Sequence, residues 1–268
     1  AGELDNTIIV MTSDNGMPFP RAKANLYDYG TRMPLVIRWP EKVKPGTVID
    51  DFVNFIDFAP SFVEAAGLEA ETMSGQSLWP LFAGEKQDRD QVYLERERHA
   101  NVRKGDLSYP MRAVRDHQYL YIRNMMPERY PAGDPTVHQS VGQYGDVDNS
   151  ITKFLIMSMP DYFKLAFDKR PEEELYDVVA DPYQLNNLAD DETLATVKEN
   201  MRKKLQNWME ETGDLRAKDP RSLYWDEVRY TPDYQMKDFN LSQGIEEYRI
   251  KPPFGKYTKE GIPCIQDN

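Results

Sequence analysis

The stretch that most constrains this chain is Thr7-Ile8-Ile9-Val10-Met11-Thr12-Ser13-Asp14-Asn15-Gly16, an apolar, β-branched run that stops abruptly on small and polar residues. Apolar residues without polar alternation predict a strand buried on both faces, the pattern of a parallel sheet in an α/β protein. In such sheets ligands bind beyond the carboxyl ends of the strands. Asp14 and Asn15 stand at such an end. They offer a carboxylate and an amide carbonyl, hard oxygen donors suited to Ca2+ or Mg2+ rather than to a soft metal. The same pair ahead of a glycine also makes an Asx turn that bonds only its own backbone. The dipeptide alone leaves both readings open.

Further along, Met33–Trp39 reads as a second strand closed by Pro40, and a loop of some twenty residues rich in Pro, Gly, Asn and Tyr separates the two. Loops of that length without structure of their own are often functional. Asp57–Ala66 predicts a short helix ended by Gly67, with Leu78, Trp79 and Leu81 packed beneath it. From Gln91 the character changes to short alternating strands joined by turns, predicting an antiparallel sheet. The segment 124–171, with its prolines, reads as an irregular insertion or lid around a helix at Ile151–Met157. Leu194, Val197, Met201, Leu205 and Trp208 recur at intervals of three and four, predicting an amphipathic helix from Asp190 or Asp191 to Gly213. The expected divisions are 1–90, 91–214 and a surface-wrapping tail over 215–268.

With 40% hydrophobic residues the 268-residue chain can bury a real core, and its net charge of −12 opposes binding to nucleic acid or an anionic membrane. A strongly anionic ligand therefore needs a local cation. Lys23, eight residues after Asn15 in a Gly- and aromatic-rich loop, would serve as a point charge; an isolated lysine is otherwise a solvated surface residue. One cysteine, Cys264, allows no intrachain disulfide. No stretch approaches the length of a membrane-spanning helix, and the first residues lack the pattern of a secretory signal. Because only six residues precede the first strand, the sequence reads as an entry into the middle of a sheet and is expected to be a piece of something longer.

The order strand, Ser-Asp-Asn-Gly, short loop, Lys23, Leu-Tyr-Asp-Tyr-Gly-Thr-Arg-Met-Pro, strand is similar to the sulfatases of the alkaline phosphatase-like superfamily. It most resembles their N-sulfoglucosamine sulfohydrolase (sulfamidase) branch, toward which Asp-Asn-Gly-Met-Pro-Phe-Pro points. Val53–Glu69, Met73–Glu85, Tyr109–Asn124 and Glu174–Asp191 extend the resemblance, which covers roughly Thr7–Asp214. It implies an α/β fold: the C-terminal part of an alkaline phosphatase-like sulfatase, with the end of the central sheet followed by a small antiparallel sheet packed on a C-terminal helix. It further implies that Asp14 and Asn15 are two ligands of the sulfatase Ca2+ and that Lys23 holds the substrate's sulfate. Glu97 and His99 would contact the sugar, although a charged edge strand explains them as well. His117 reads as an exposed hairpin residue, His138 as part of the insertion, and Arg32 as a structural brace of the loop.

The family's reaction uses a formylglycine made in a Cys-x-Pro-Ser-Arg motif, whose hydrate attacks sulfur on the metal. No such motif occurs in the sequence, and Cys264 lies in Gly-Ile-Pro-Cys-Ile-Gln. The first pair of metal aspartates and the active-site histidines are also absent. The expectation is a chain inert alone, completed by an N-terminal half of the sulfatase and acting on a sulfated sugar, with a heparan-type glucosamine as substrate. Phosphate or phosphonate ester hydrolysis, and a noncatalytic carbohydrate-binding or interaction fragment, are the alternatives. The family resemblance implies a periplasmic, secreted or lysosomal location.

Overall fold

The computed structural model describes residues 2–69, 72–86, 88–136 and 142–228. The readings made for His138, for Cys264 and for the tail past residue 228 lie outside the described residues. In chain order the strands are β1 (Ile9–Thr12), β2 (Leu35–Arg38), β3 (Gln91–Arg96), β4 (Met111–Asp116), β5 (Tyr119–Asn124) and β6 (Glu173–Asp177). The helices are α1 (Asp28–Thr31), α2 (Phe58–Ala65), α3 (Trp79–Phe82), α4 (Ile151–Met157), α5 (Pro160–Ala166), α6 (Ala195–Glu211) and α7 (Tyr224–Glu227). The described residues form two units, one from 2–14 and 33–92, the other from 15–32 and 93–228.

In the first unit β1 pairs antiparallel with β2, Ile9 opposite Arg38 and Thr12 opposite Leu35. The expected parallel strand buried on both faces is not what these residues form. The sheet has two strands, and Met11 and Val36 are 64% and 56% exposed. An apolar, β-branched sequence fits any pleated surface, so its composition reports strand without fixing direction or cover. Helix α2 ends before Gly67, whose φ of +73° suits glycine. Beneath it Leu78 and Leu81 are buried as expected, and the Leu78 N–H donates to Ser61 Oγ (2.9 Å). Asp57 leads the helix, fully buried. Burial works to raise its pKa, but Arg89 and the N–H groups of Gln76 and Asn54 outweigh that and hold it below the usual carboxylate range.

The second unit is built on a four-stranded sheet in the order β3-β4-β5-β6, with β4–β5 and β5–β6 antiparallel. Side chains alternate across it. Leu120, Ile122 and Tyr176 pack on one face with Leu26 and Tyr27 from the long loop. Tyr121 and Leu175 pack on the other with Met201, Leu205 and Met209 of α6. The amphipathic helix thus covers one face, and the Lys23 loop is pressed onto the opposite one. Asp191 caps the turn leading into α6 by accepting from the Thr193 N–H, and Gly213 (φ +72°) follows its end.

Strand β6 was not among the expected strands. Its second residue, Glu174, is buried and accepts from the Tyr27 and Tyr176 hydroxyls (2.7 and 2.6 Å) and from Asn124 Nδ2 (2.7 Å), so a carboxylate sits where the pattern would call for an apolar residue. The described residues of 124–171 are also more regular than the prolines suggest. Besides α4 and α5 they have their own small core of Ala132, Tyr144, Val147, Met157, Ala166 and Phe167. Among the described residues no helix is long and apolar enough to cross a membrane.

Candidate functional site

The loop carrying Lys23 is held at both ends and on both sides of that residue. At its start Gly16 is buried, and a Cβ there would lie 2.4 Å from the Tyr29 carbonyl oxygen and 2.7 Å from Gly30 Cα. Gly30 is as confined, 2.3 and 2.4 Å from the carbonyl oxygens of Asn25 and Ala22. Two residues flanking Lys23, Arg21 and Ala24, adopt φ of +62° and +59°, a conformation that side chains with a Cβ seldom take. Such strain persists only where the surroundings over-determine it. Here the Arg21 guanidinium lies 3.8 Å from the centre of the Tyr27 ring and donates to the carbonyl oxygens of Leu165 (3.1 Å) and Gln184. Arg96 donates to the Ala24 carbonyl, Asn25 Nδ2 to the Lys23 carbonyl (2.8 Å), and Arg170 to Asn25 Oδ1 (2.8 Å). Arg32, expected to brace this loop, is exposed; Arg21, Arg96 and Arg170 do the bracing instead.

From this frame the Lys23 ammonium, 23% exposed, meets Asp148 at 3.4 Å. Asp148 belongs to the stretch Gly145-Asp146-Val147-Asp148-Asn149-Ser150, where several charged side chains converge. Asp146, 1% exposed, takes Arg96 and Arg103 (3.0 Å) on Oδ2 and His99 Nδ1 on Oδ1 (3.1 Å). Burial works to raise its pKa, but Arg96, the His99 hydrogen bond and Arg103 outweigh it and hold the carboxyl well below the usual range. An ionised carboxylate only accepts, so the His99 Nδ1 carries the hydrogen and a neutral ring presents its lone pair at Nε2. Burial also pulls Arg103 down to about 10, against the pull of Asp146 and with Arg96 adding to the fall, so it stays cationic at neutral pH.

Lys153, on the first turn of α4, ties the same stretch together by donating to the Val147 carbonyl (2.8 Å) and to Asn149 Oδ1 (3.3 Å). Burial lowers its pKa to about 7, with Asp148 and Asp146 holding it up. Ser150 caps that helix by accepting from the Lys153 N–H (3.1 Å).

The structure thus joins Lys23 and His99 to one short loop, Lys23 through Asp148 and His99 through Asp146. Glu97 is placed differently. Its carboxylate accepts from Arg112 Nη2 (2.7 Å) and from Arg216 Nε and Nη2 (2.7 and 2.8 Å), both guanidinium groups being buried. Glu97 therefore fastens the end of β3 to the turn after α6, and both its oxygens are engaged. His117 is exposed, in the turn between β4 and β5. Asp146, Asp148 and Lys153 were not singled out from the sequence. Their only signal there is Asp at alternate positions ahead of a Ser helix cap, which composition cannot tell from a solvated turn.

Asp14 and Asn15 are both exposed. Their donors suit Ca2+ in kind, but Ca2+ takes six to eight oxygens. Among the described residues no three His, Cys, Asp or Glu side chains group so as to hold a metal ion. The pair fits as part of a ligand set, not as a whole one.

Comparison with known proteins bears on the same region. The family model N-sulphoglucosamine sulphohydrolase, C-terminal, matches residues 21–130, a stretch that includes Lys23, Glu97 and His99. The chain is 32% identical over 222 residues to an ulvan-active sulfatase of Formosa agariphila, a match covering 80% of this chain and 34% of that protein. It is 29% identical over 245 residues to human N-sulphoglucosamine sulphohydrolase, covering 80% of this chain and 43% of that protein. The solved structure of BT4656 in complex with its substrate D-glucosamine-2-N,6-O-disulfate matches with a TM-score of 0.56 and 26% identity, over 85% of this chain and 37% of that one. The chain thus spans between a third and a half of the length of these relatives.

Proposed function

Since this chain is related to the sulfatases over their C-terminal part, we propose that it is part of an enzyme that hydrolyses sulfate ester or N-sulfate groups of a sugar. A heparan-type glucosamine unit is the substrate class. The carrying observation is Lys23, a partly exposed ammonium on a loop held rigid by buried contacts, in a chain whose overall charge would otherwise repel an anion. Lys23 binds the sulfate as a point charge. His99, 35% exposed, offers Nε2 to a sugar hydroxyl or amine while Nδ1 is held by Asp146. Glu97 is left out of the sugar contacts because the arginines take both of its oxygens.

Asp14 and Asn15 would hold Ca2+ together with oxygens from outside this sequence. The ion would supply charge stabilisation at the sulfate and activation of the nucleophile. The 268 residues contain no Cys-x-Pro-Ser-Arg motif, so in this reading the formylglycine comes from the N-terminal half of the enzyme. A periplasmic, secreted or lysosomal location accords with such a substrate. The test is hydrolysis by the whole protein of glucosamine N-sulfate, an aryl sulfate and an aryl phosphate. Sulfate release supports the proposal. Preferential phosphate release, or binding of the sulfated sugar without turnover, overturns it in favour of a phosphoester hydrolase or a noncatalytic sugar-binding protein.

A further inference from the structure

The stretch 145–150 carries two carboxylates whose partners are the two proposed ligand-binding side chains, and their burial differs sharply. Asp146 is enclosed and has three cationic or imidazole partners, so it cannot leave. Asp148 is 45% exposed and reaches Lys23 at 3.4 Å, beyond the 2.7–2.9 Å of a strong ammonium–carboxylate hydrogen bond. Lys23, 23% exposed, stands on a loop whose backbone is fixed on both sides of it by Arg21, Arg96 and Arg170. Of the two side chains, the more exposed carboxylate is the freer to yield. Because Asp146 and Asp148 are two residues apart, their Cα atoms lie within about 7 Å of each other. Lys23 and His99 are therefore tied to neighbouring points of one short loop.

We propose that the loop 145–150 is the charge-setting half of the anion site. In it Asp148 is a built-in counter-ion that an incoming sulfate displaces from Lys23, and Asp146 is a positioning residue that fixes the His99 ring with Nε2 toward the sugar. The proposal rests on the reading of Lys23 as the sulfate-binding residue. The ligand class follows from the exchange. A tetrahedral oxyanion with several acceptor oxygens replaces one long carboxylate contact with better ones, whereas a neutral sugar gains nothing from displacing Asp148. The device thus favours sulfated over unsulfated ligands.

The test uses the whole protein, with inorganic sulfate titrated calorimetrically and neutral glucosamine derivatives as the uncharged control. Asp148→Asn keeps the size of the side chain at a half-exposed position, so the fold tolerates it. Removing a competing pair of this exposure should tighten sulfate binding about two- to fivefold. It should leave the neutral ligand unchanged, and the gain should vanish in Lys23→Met/Asp148→Asn, as coupled residues require. If Asp148→Asn weakens or does not change sulfate binding while Lys23→Met abolishes it, the counter-ion role is wrong and the reading of Lys23 stands. If Lys23→Met leaves sulfate binding intact, that reading falls, and the proposal with it. Nitrogen-15 NMR of His99 in the ligand-free protein tests the other half without any variant that endangers folding. Hydrogen on Nδ1 supports the positioning role of Asp146, and hydrogen on Nε2 in the neutral ring overturns it.

Discussion

Replacing Glu97 by alanine separates two roles that the sequence could not. In the structure Glu97 balances two buried cations, Arg112 and Arg216, through three hydrogen bonds of 2.7–2.8 Å. Removing one member of a buried ion pair generally costs about 3–5 kcal/mol, because the remaining charge is left uncompensated. Here the guanidinium groups keep other acceptors. Arg112 retains Asp214 (2.6 Å), and Arg216 retains the carbonyl oxygens of Pro220 (2.8 Å) and Ser222 (3.1 Å). The low end, about 3 kcal/mol, is the better figure. At about 2–4 °C per kcal/mol for a domain of this size, Glu97→Ala should lower Tm by roughly 6–12 °C. Thermal unfolding followed by circular dichroism reads this directly, and KM for the sulfated sugar, measured well below Tm, reads the other role. An unchanged Tm together with a raised KM would refute the structural assignment and return Glu97 to the substrate.

Lys153 makes stability depend on pH in an unusual direction. Its folded pKa of about 7 lies below the unfolded value near 10.4, so between those values the unfolded chain binds more protons and stability should rise with pH. Urea unfolding from pH 7 to 10 should show this rise in the native protein and lose it in Lys153→Met. Asp146 acts at the other end of the scale. Its folded pKa is depressed, so its contribution is present above about pH 3.9 and is lost as pH falls toward the folded value, a loss acid titration should show. Gly30→Ala puts a Cβ against two backbone oxygens and should destabilise the protein by about 1–3 kcal/mol, seen as a lower urea midpoint with an unchanged slope.

Where one period runs unbroken, the sequence announces the structure. The spacing of Leu194, Met201 and Leu205 locates α6, and Asp191 and Gly213 mark its limits because capping is local chemistry. Strands β4 and β5 are legible for the same reason. Strand β6 is not, since Glu174 is buried against Tyr27 and Asn124, both distant in sequence, as well as against Tyr176 of its own strand. In β1 the apolar run identifies a strand but not its antiparallel partner or its exposure. Within the site, Lys23 and His99 could be picked out by residue type and by family resemblance. The loop joining them could not, because Asp146 and Asp148 look like turn residues until Arg96, Arg103 and Lys23 are seen to converge on them. Glu97 shows the converse: a charged residue in a promising segment is engaged by arginines 15 and 119 positions away.

The proposed function stands on Lys23 holding the sulfate group of a sugar. The most direct measurement is kcat/KM of the whole protein for glucosamine N-sulfate, compared between native Lys23 and Lys23→Met. Loss of a charge-assisted contact worth about 1.5–3 kcal/mol predicts a fall of about tenfold or more, with KM raised. An unchanged kcat/KM in a folded Lys23→Met protein would contradict the account.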